Sequence, residues 1–436
     1  MRKMIHTALA LIGAASIAGP AAAQPGFPAP IVVNSGDTAW ILTASALVLL
    51  MTLPGLALFY GGLVRTKNFL SVVMQCFGIC CIVSLIWVTV GYSLVFSGPG
   101  GGFIGGFEVA MLSGLGEVFP GTTIPESSFA LFQMTFAIIT PALMVGAWVE
   151  RARFGWVMVF SALWLLFVYI PVAHWIWGGG WLAELGALDF AGGIVVHTTA
   201  GISALVIALL LGRREGFPKK LIPPHGAALT MAGAALLWVG WFGFNGGSGL
   251  VANFAAGSAI INTHIAASTA ALTWALIEKL RFGKSTGIGV ATGVIAGLAT
   301  ITPAANLVGT GGAILLGFLG GLVCFGAVGL IKRRFAIDDS LDVFAVHGVG
   351  GMLGAALLAI LMASSLGGAG HPDGVTMTSQ LVSQLTAIGA VVLWSAVATA
   401  GLAWVVGIVF PMRATKEQEQ EGLDLSQHGE KAWDWE

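Results

Sequence analysis

Apolar runs of about twenty residues recur from residue 38 to residue 410, divided by short polar loops, and no other feature restricts the possible folds as tightly. A helix of that length rises about 30 Å, the thickness of a hydrocarbon core, and keeps its backbone hydrogen bonds to itself. Hydrophobic residues make up 57% of the chain and charged residues 9%, too few charges to cover a soluble surface. The expected fold is an all-α polytopic membrane protein of eleven transmembrane helices. The runs place them near 38–62, 70–96, 128–149, 155–176, 190–211, 227–244, 258–278, 287–302, 311–331, 343–363 and 383–410. A formal net charge of −1 offers no surface for nucleic acid.

The basic residues orient the chain. After residue 23 every Lys and Arg falls at alternate ends of the spans: Arg65 and Lys67, Arg151 and Arg153, residues 213–220, 279–284 and 332–334, and the C-terminal segment. The other loops carry Glu108, Glu117, Glu126, Glu184 and Asp373 but no basic residue. By the positive-inside rule the C-terminus is cytoplasmic and the mature N-terminus lies on the opposite side. Residues 1–23, with Arg2, Lys3, an apolar stretch and Ala21-Ala22-Ala23, read as a cleavable signal peptide, a short first helix being the other reading. Residues 24–410 then form the eleven-span domain. Residues 411–436 form a polar cytoplasmic tail whose composition equally suits disorder.

Eleven spans divide as five, five and one. Five is odd, so the second five cross with opposite polarity, giving a 5+5 inverted repeat plus a final helix. Spans five and ten become counterparts, and each holds one histidine: His197 in DFAGGIVVHTTAG, residues 189–201, and His347 in DVFAVHGVG, residues 342–350. An ionisable side chain at bilayer depth is costly and faces the protein interior or a cavity. Two in corresponding places point to one shared pore. Neutral imidazoles both donate and accept hydrogen bonds, so the pair suits a small polar solute.

Asp189, about 12 Å before His197 along a helix, is expected near the outer mouth as the N-cap of span five, where its charge would also favour a cation. Asp342 is expected to cap span ten and, with Asp338 and Asp339, to pair with Lys332, Arg333 or Arg334. The four cysteines show no metal-ligand spacing and read as buried hydrophobes, so neither cofactor nor metal is expected. Glycines four residues apart, such as Gly350 and Gly354, are expected to let helices pack closely within the chain.

Aromatic residues gather at the expected outer ends: Phe132 and Phe136, Trp177 in HWIWGGG, and Trp241 and Phe244 in GWFGFNGGSG. Tryptophans at span ends ordinarily anchor the interface. Grouped about one mouth with Ser248, these rings can instead hold a small cation against their π faces while the hydroxyl accepts a hydrogen bond.

Taken in order, PGLALFYGGLVRTKN, FQMTFAIIT, VGAWVERARF, IPVAHWIWGGGWL, GALDFAGGIVVH, GWFGFNGGSG, DDSLDVFAVHGVGG, SSLGG and EGLDLSQHGEKAW resemble the ammonium transporter family, whose relatives include the Rh proteins. The resemblance is to bacterial members. It implies an eleven-span homotrimer in the lipid of the cell inner membrane, with a periplasmic N-terminus and one pore per subunit. It implies transport of ammonium or ammonia, with methylammonium as an analogue, by a protein that is not an enzyme. Phe132, Trp177 and Ser248 would form the outer ammonium site and Asp189 would support it. Phe136 and Phe244 would form a stacked gate, and His197 and His347 the twin-histidine pair. The tail motif resembles the segment that contacts the trimeric PII signal protein.

Ammonium and potassium ions are similar in size, so radius alone would separate them poorly. A dry pore separates them by chemistry, because an unpaired ion in low dielectric is costly whereas neutral ammonia is not. The expected route is capture outside, deprotonation near the phenylalanines and conduction of ammonia along the histidines, with the proton's path left open. Three rivals stand beside this: a conduit for carbon dioxide or urea, a bis-histidine haem protein, and an ammonium sensor acting through the tail. Methylammonium competition, an absorbance spectrum and a transport assay separate them in turn.

Overall fold

The computed structural model describes residues 32–98, 102–219 and 223–433, and the expected signal peptide lies outside them. Among the described residues, eleven helices are long and apolar enough to cross a membrane. They run Ser35–Leu63, Thr66–Phe96, Glu126–Trp148, Phe154–Glu184, Gly193–Leu211, Ala227–Gly247, Phe254–Phe282, Gly287–Ala304, Thr310–Arg334, Phe344–Leu361 and Met377–Val409, and are called spans one to eleven. Most ends fall close to the sequence expectation. Span eleven starts earlier, because its polar first turns are turned against the protein: Gln380 donates to Gly186 O and Gln384 to Leu188 O. Thr376 and Ser379 close that end as a capping box.

Spans three, five and eight are the most enclosed, while spans two, nine and eleven present much of their surface outwards. Spans five and ten begin in the same unusual way. Each opens with a π turn, Gly193–Thr198 and Phe344–Gly348, and each π turn carries one of the two histidines. Such turns widen the helix, leaving carbonyls for side chains to satisfy; Thr198 and Thr199 donate to Gly193 O and Ile194 O, five residues back. The two spans touch at backbone distance. A Cβ on Gly351 would stand 2.8 Å from His197 Cβ and nearer still to Gly193 O, so glycine is required there. Gly297 and Gly293 likewise admit the Ala266–Ala271 stretch of span seven, the packing role expected of spaced glycines.

The end of the bundle that carries the basic loops is tied by buried ion pairs. Arg151 is fully buried and donates to Asp338 Oδ2 at 3.2 Å, Asp338 O at 2.9 Å, and the carbonyls of Ala147 and Gly212. Arg214 bridges Asp338 and Glu150, and Glu150 also accepts from Arg65 and Asn68. Burial pushes both carboxyls up. The neighbouring guanidiniums outweigh it, and Glu150 and Asp338 stay below the usual carboxylate range.

The tail is docked on this face, against the disorder its composition allows. Arg153 N donates to Met412 O and Ala414 N to Arg151 O. Lys416–Glu421 forms a short helix, with Thr415 and Gln418 as its capping box. Beyond it the Asp424 carboxylate accepts Leu70 N at 3.0 Å and Ser71 N at 2.7 Å, Leu423 N donates to Asn68 Oδ1, and Phe154 N donates to Gln427 Oε1. Charged side chains on one side and buried Leu423 on the other give the segment an anchor that residue counts do not register.

Candidate functional site

At the end opposite the basic loops, a vestibule of about 270 Å³ is lined by Phe136, Trp177, Ser248, Gln133, Phe190 and Leu250, among others. Its shape follows from the chain ends that meet there. Span four breaks after Ile176, which leaves Trp177 at the rim, and Ser248 follows the last residue of span six. Trp177 Nε1 donates to Asp189 O at 2.8 Å, so the indole is held by the loop that precedes span five. The Asp189 side chain faces inwards: Oδ1 accepts Gly192 N, and Oδ2 accepts Ile194 N and Val195 N. It caps span five, as expected, and burial pushes its carboxyl up to about 6 against those donors.

Phe136 forms the floor of the vestibule, with Phe244 beneath it. The Phe136 and Phe244 rings lie 4.3 Å apart at 39°, and Phe136 meets Trp177 edge-on at 5.7 Å. Beneath them the rings continue as a stack: Phe244 to His197 at 5.9 Å, then His197 to His347 at 5.2 Å and 21°. Both histidines are buried, and their Nδ1 atoms approach to 3.2 Å. Two neutral rings satisfy that contact only if one Nδ1 donates and the other accepts, which makes the pair share a proton between unlike tautomers. His197 Nε2 is buried without a hydrogen-bond partner among the described residues. Beside the pair lies a cavity of about 10 Å³, lined by Leu56, Phe59, Ile139, Trp241, His197 and His347, with room for one water-sized molecule.

Several sequence expectations shift in depth. Phe132 is fully buried, packed on Gly247 and Phe136, and does not line the vestibule. Trp241 lies in the interior, stacked 5.4 Å from His197 with Nε1 donating to Thr302 Oγ1, not at the mouth. Asp342 does pair with Lys332, but the cap of span ten is Asp339, whose Oδ2 accepts Phe344 N at 2.7 Å. The partners of Asp338 are Arg151 and Arg214, not the 332–334 cluster. Asp339 stands eight residues before His347, as Asp189 stands eight before His197, so the two halves align on Asp339. That spacing was visible in the sequence. Gln133 in the vestibule was missed, since nothing marks one glutamine in an apolar run.

The sequence profile described as the Ammonium Transporter Family matches residues 39–433. This chain belongs to the ammonium transporter family. It is 46% identical over 406 residues to an ammonium transporter of Bacillus subtilis, covering 92% of this chain and 99% of that one. To the ammonium transporter Amt1 of Archaeoglobus fulgidus it is 45% identical, covering 92% and 100%. Among solved structures it resembles one titled Sensor Amt Protein, with TM-score 0.84, 30% identity and coverage of 90% and 98%. It also resembles Mep2 of Candida albicans, with TM-score 0.81, 38% identity and coverage of 92% and 90%. The curated relatives it matches are transporters, not enzymes. The family's all-helical fold, multi-pass and without strands among the described residues, is the one this chain adopts.

Proposed function

We propose that this family member transports ammonium across a bacterial inner membrane. The cation is recruited against Trp177 and Ser248 in the vestibule, transfers a proton to vestibule water near Phe136 and Phe244, and passes as ammonia along His197 and His347. The observation that carries the reading is the continuous stack from vestibule to histidine pair, ending beside a cavity for a single small molecule. No charged side chain lines that cavity, so an ion would meet its full desolvation cost there while ammonia would not. Asp189 acts behind the site, holding Trp177 through its carbonyl and span five through its carboxylate. A proton moving with ammonia would use the shared Nδ1 contact of the pair.

The vestibule then faces the periplasm, with the N-terminus periplasmic and the basic face and tail cytoplasmic. The working unit is a homotrimer, and the docked tail is the contact for a PII signal protein. Uptake of ammonium or methylammonium into proteoliposomes tests the central claim. Trp177→Leu with Ser248→Ala removes a π face and an acceptor, about 1 kcal/mol each, and should raise half-saturation more than it lowers maximal rate. Protein that supports no ammonium uptake, or a variant with unchanged concentration dependence, would defeat the reading.

A further inference from the structure

Gln133 stands between Phe132 and Phe136 on span three and lines the vestibule with Phe136, Trp177 and Ser248. The neighbouring side-chain donors are engaged within the protein. Trp177 Nε1 donates to Asp189 O, and Ser248 Oγ donates to Phe244 O at 2.8 Å. Thr135, two residues further on, donates back to Phe132 O. Gln133 Oε1, by contrast, is buried with no hydrogen-bond partner among the described residues. A buried carbonyl oxygen without a donor is unfavourable, and a half-buried amide is free to turn that oxygen towards whatever donor arrives. What this side chain lacks is an N–H or O–H group, and the vestibule is where one would come from.

We infer that Gln133 is a binding residue of the vestibule, its amide oxygen accepting an N–H of the captured cation. This rests on the transport reading above and adds to it a reason for preferring ammonium. Aromatic faces attract any small cation through its charge, whether or not it carries hydrogens. The Ser248 hydroxyl and the Gln133 amide meet two of the four N–H directions of a tetrahedral ammonium, and the rings face the rest. An alkali cation shedding its water requires a fuller cage of oxygens than these two supply.

Gln133→Met keeps the side-chain length and removes the acceptor. In proteoliposomes its half-saturation for ammonium should rise about tenfold, the size expected for one hydrogen bond to a charged group, with maximal rate within about twofold of the parent. Gln133→Glu should lower half-saturation and make potassium a competitor, because a carboxylate attracts cations without regard to their hydrogens. Gln133→Asn, which retracts the amide, should fall between parent and Met, and is read in place of the Met protein if that one is not monodisperse in detergent. An amide needed only for packing would lower maximal rate in all three and leave half-saturation alone, and that result overturns the inference. Should Trp177→Leu shift half-saturation while Gln133→Met does not, the inference about Gln133 fails by itself. Absence of saturable uptake by the parent protein would remove the transport reading and this one together.

Discussion

Gly351→Ala adds one methyl group where spans five and ten touch, and the structure fixes what that methyl displaces. Its Cβ would stand 2.8 Å from His197 Cβ and 2.4 Å from Gly193 O, and ordinary contact begins at 3.4 Å, so about 1 Å of separation must be found. The nearer obstacle is Gly193 O, a backbone atom that cannot rotate away. Gly351 lies one turn after His347, so the separation is transmitted to the pair, whose 3.2 Å Nδ1 contact would lengthen to about 4.2 Å and cease to be a hydrogen bond. Overpacking of this kind costs about 1–3 kcal/mol. The expected outcome is a lower melting temperature in detergent, together with ammonium uptake reduced by an order of magnitude or more. Gly389→Ala in span eleven, where an added Cβ meets nothing within 4 Å, supplies the control and should melt no lower than the parent. If Gly351→Ala melts and transports like the parent, the two spans are not in backbone contact around the histidines, and the pore geometry argued above is wrong.

Selectivity should yield to charge at the pair: His197→Asp brings water and a fixed anion into the path and should let potassium through, whereas His197→Ala should keep potassium out and slow ammonium; ionic currents and uptake measured on the same vesicles check both. Removing residues 422–433 deletes the Asp424 and Leu423 anchors and should abolish capture of a PII protein by membranes while the spans stay folded, a result that proteolysis and a pull-down would show. The buried ion pairs give an acid limit. Glu150 and Asp338 have folded pKa values below their unfolded ones, so their stabilisation is complete above about pH 5 and is lost as pH falls through the folded values. Arg214→Met should cost about 3 kcal/mol at pH 7 and flatten that acid loss, as melting curves from pH 7 to pH 3 would record.

The spans and the histidine pair were legible because both rest on strong constraints: the bilayer demands apolar length, and it penalises an ionisable group that has no interior to face. What failed to show was depth and register. Trp241 and Trp177 look alike in sequence, yet one is three residues before Phe244 inside span six and the other ends a broken helix, and only the fold separates a buried neighbour of His197 from the vestibule rim. In DDSLD any carboxylate is a plausible cap. Asp342 is ruled out by a left-handed backbone, φ 64°, which directs its side chain to Lys332 and leaves capping to Asp339. Arg151 reads as one more basic loop residue, and its complete burial depends on Asp338 arriving from a loop 187 positions away. The tail's order likewise depends on acceptors and donors contributed by Asn68, Leu70 and Ser71, which no composition window around residue 424 includes.

The cavity beside the histidines has a kinetic consequence. On the proposed route, the place beside the histidines has room for a single occupant, so one molecule cannot push another there, and tracer fluxes in the two directions should keep the ratio of independent particles. Throughput is then capped by how often that one place empties. On the reading offered here, a cell short of nitrogen gains nothing from a steeper gradient once the place is always filled, and its remaining resource is the number of copies it inserts.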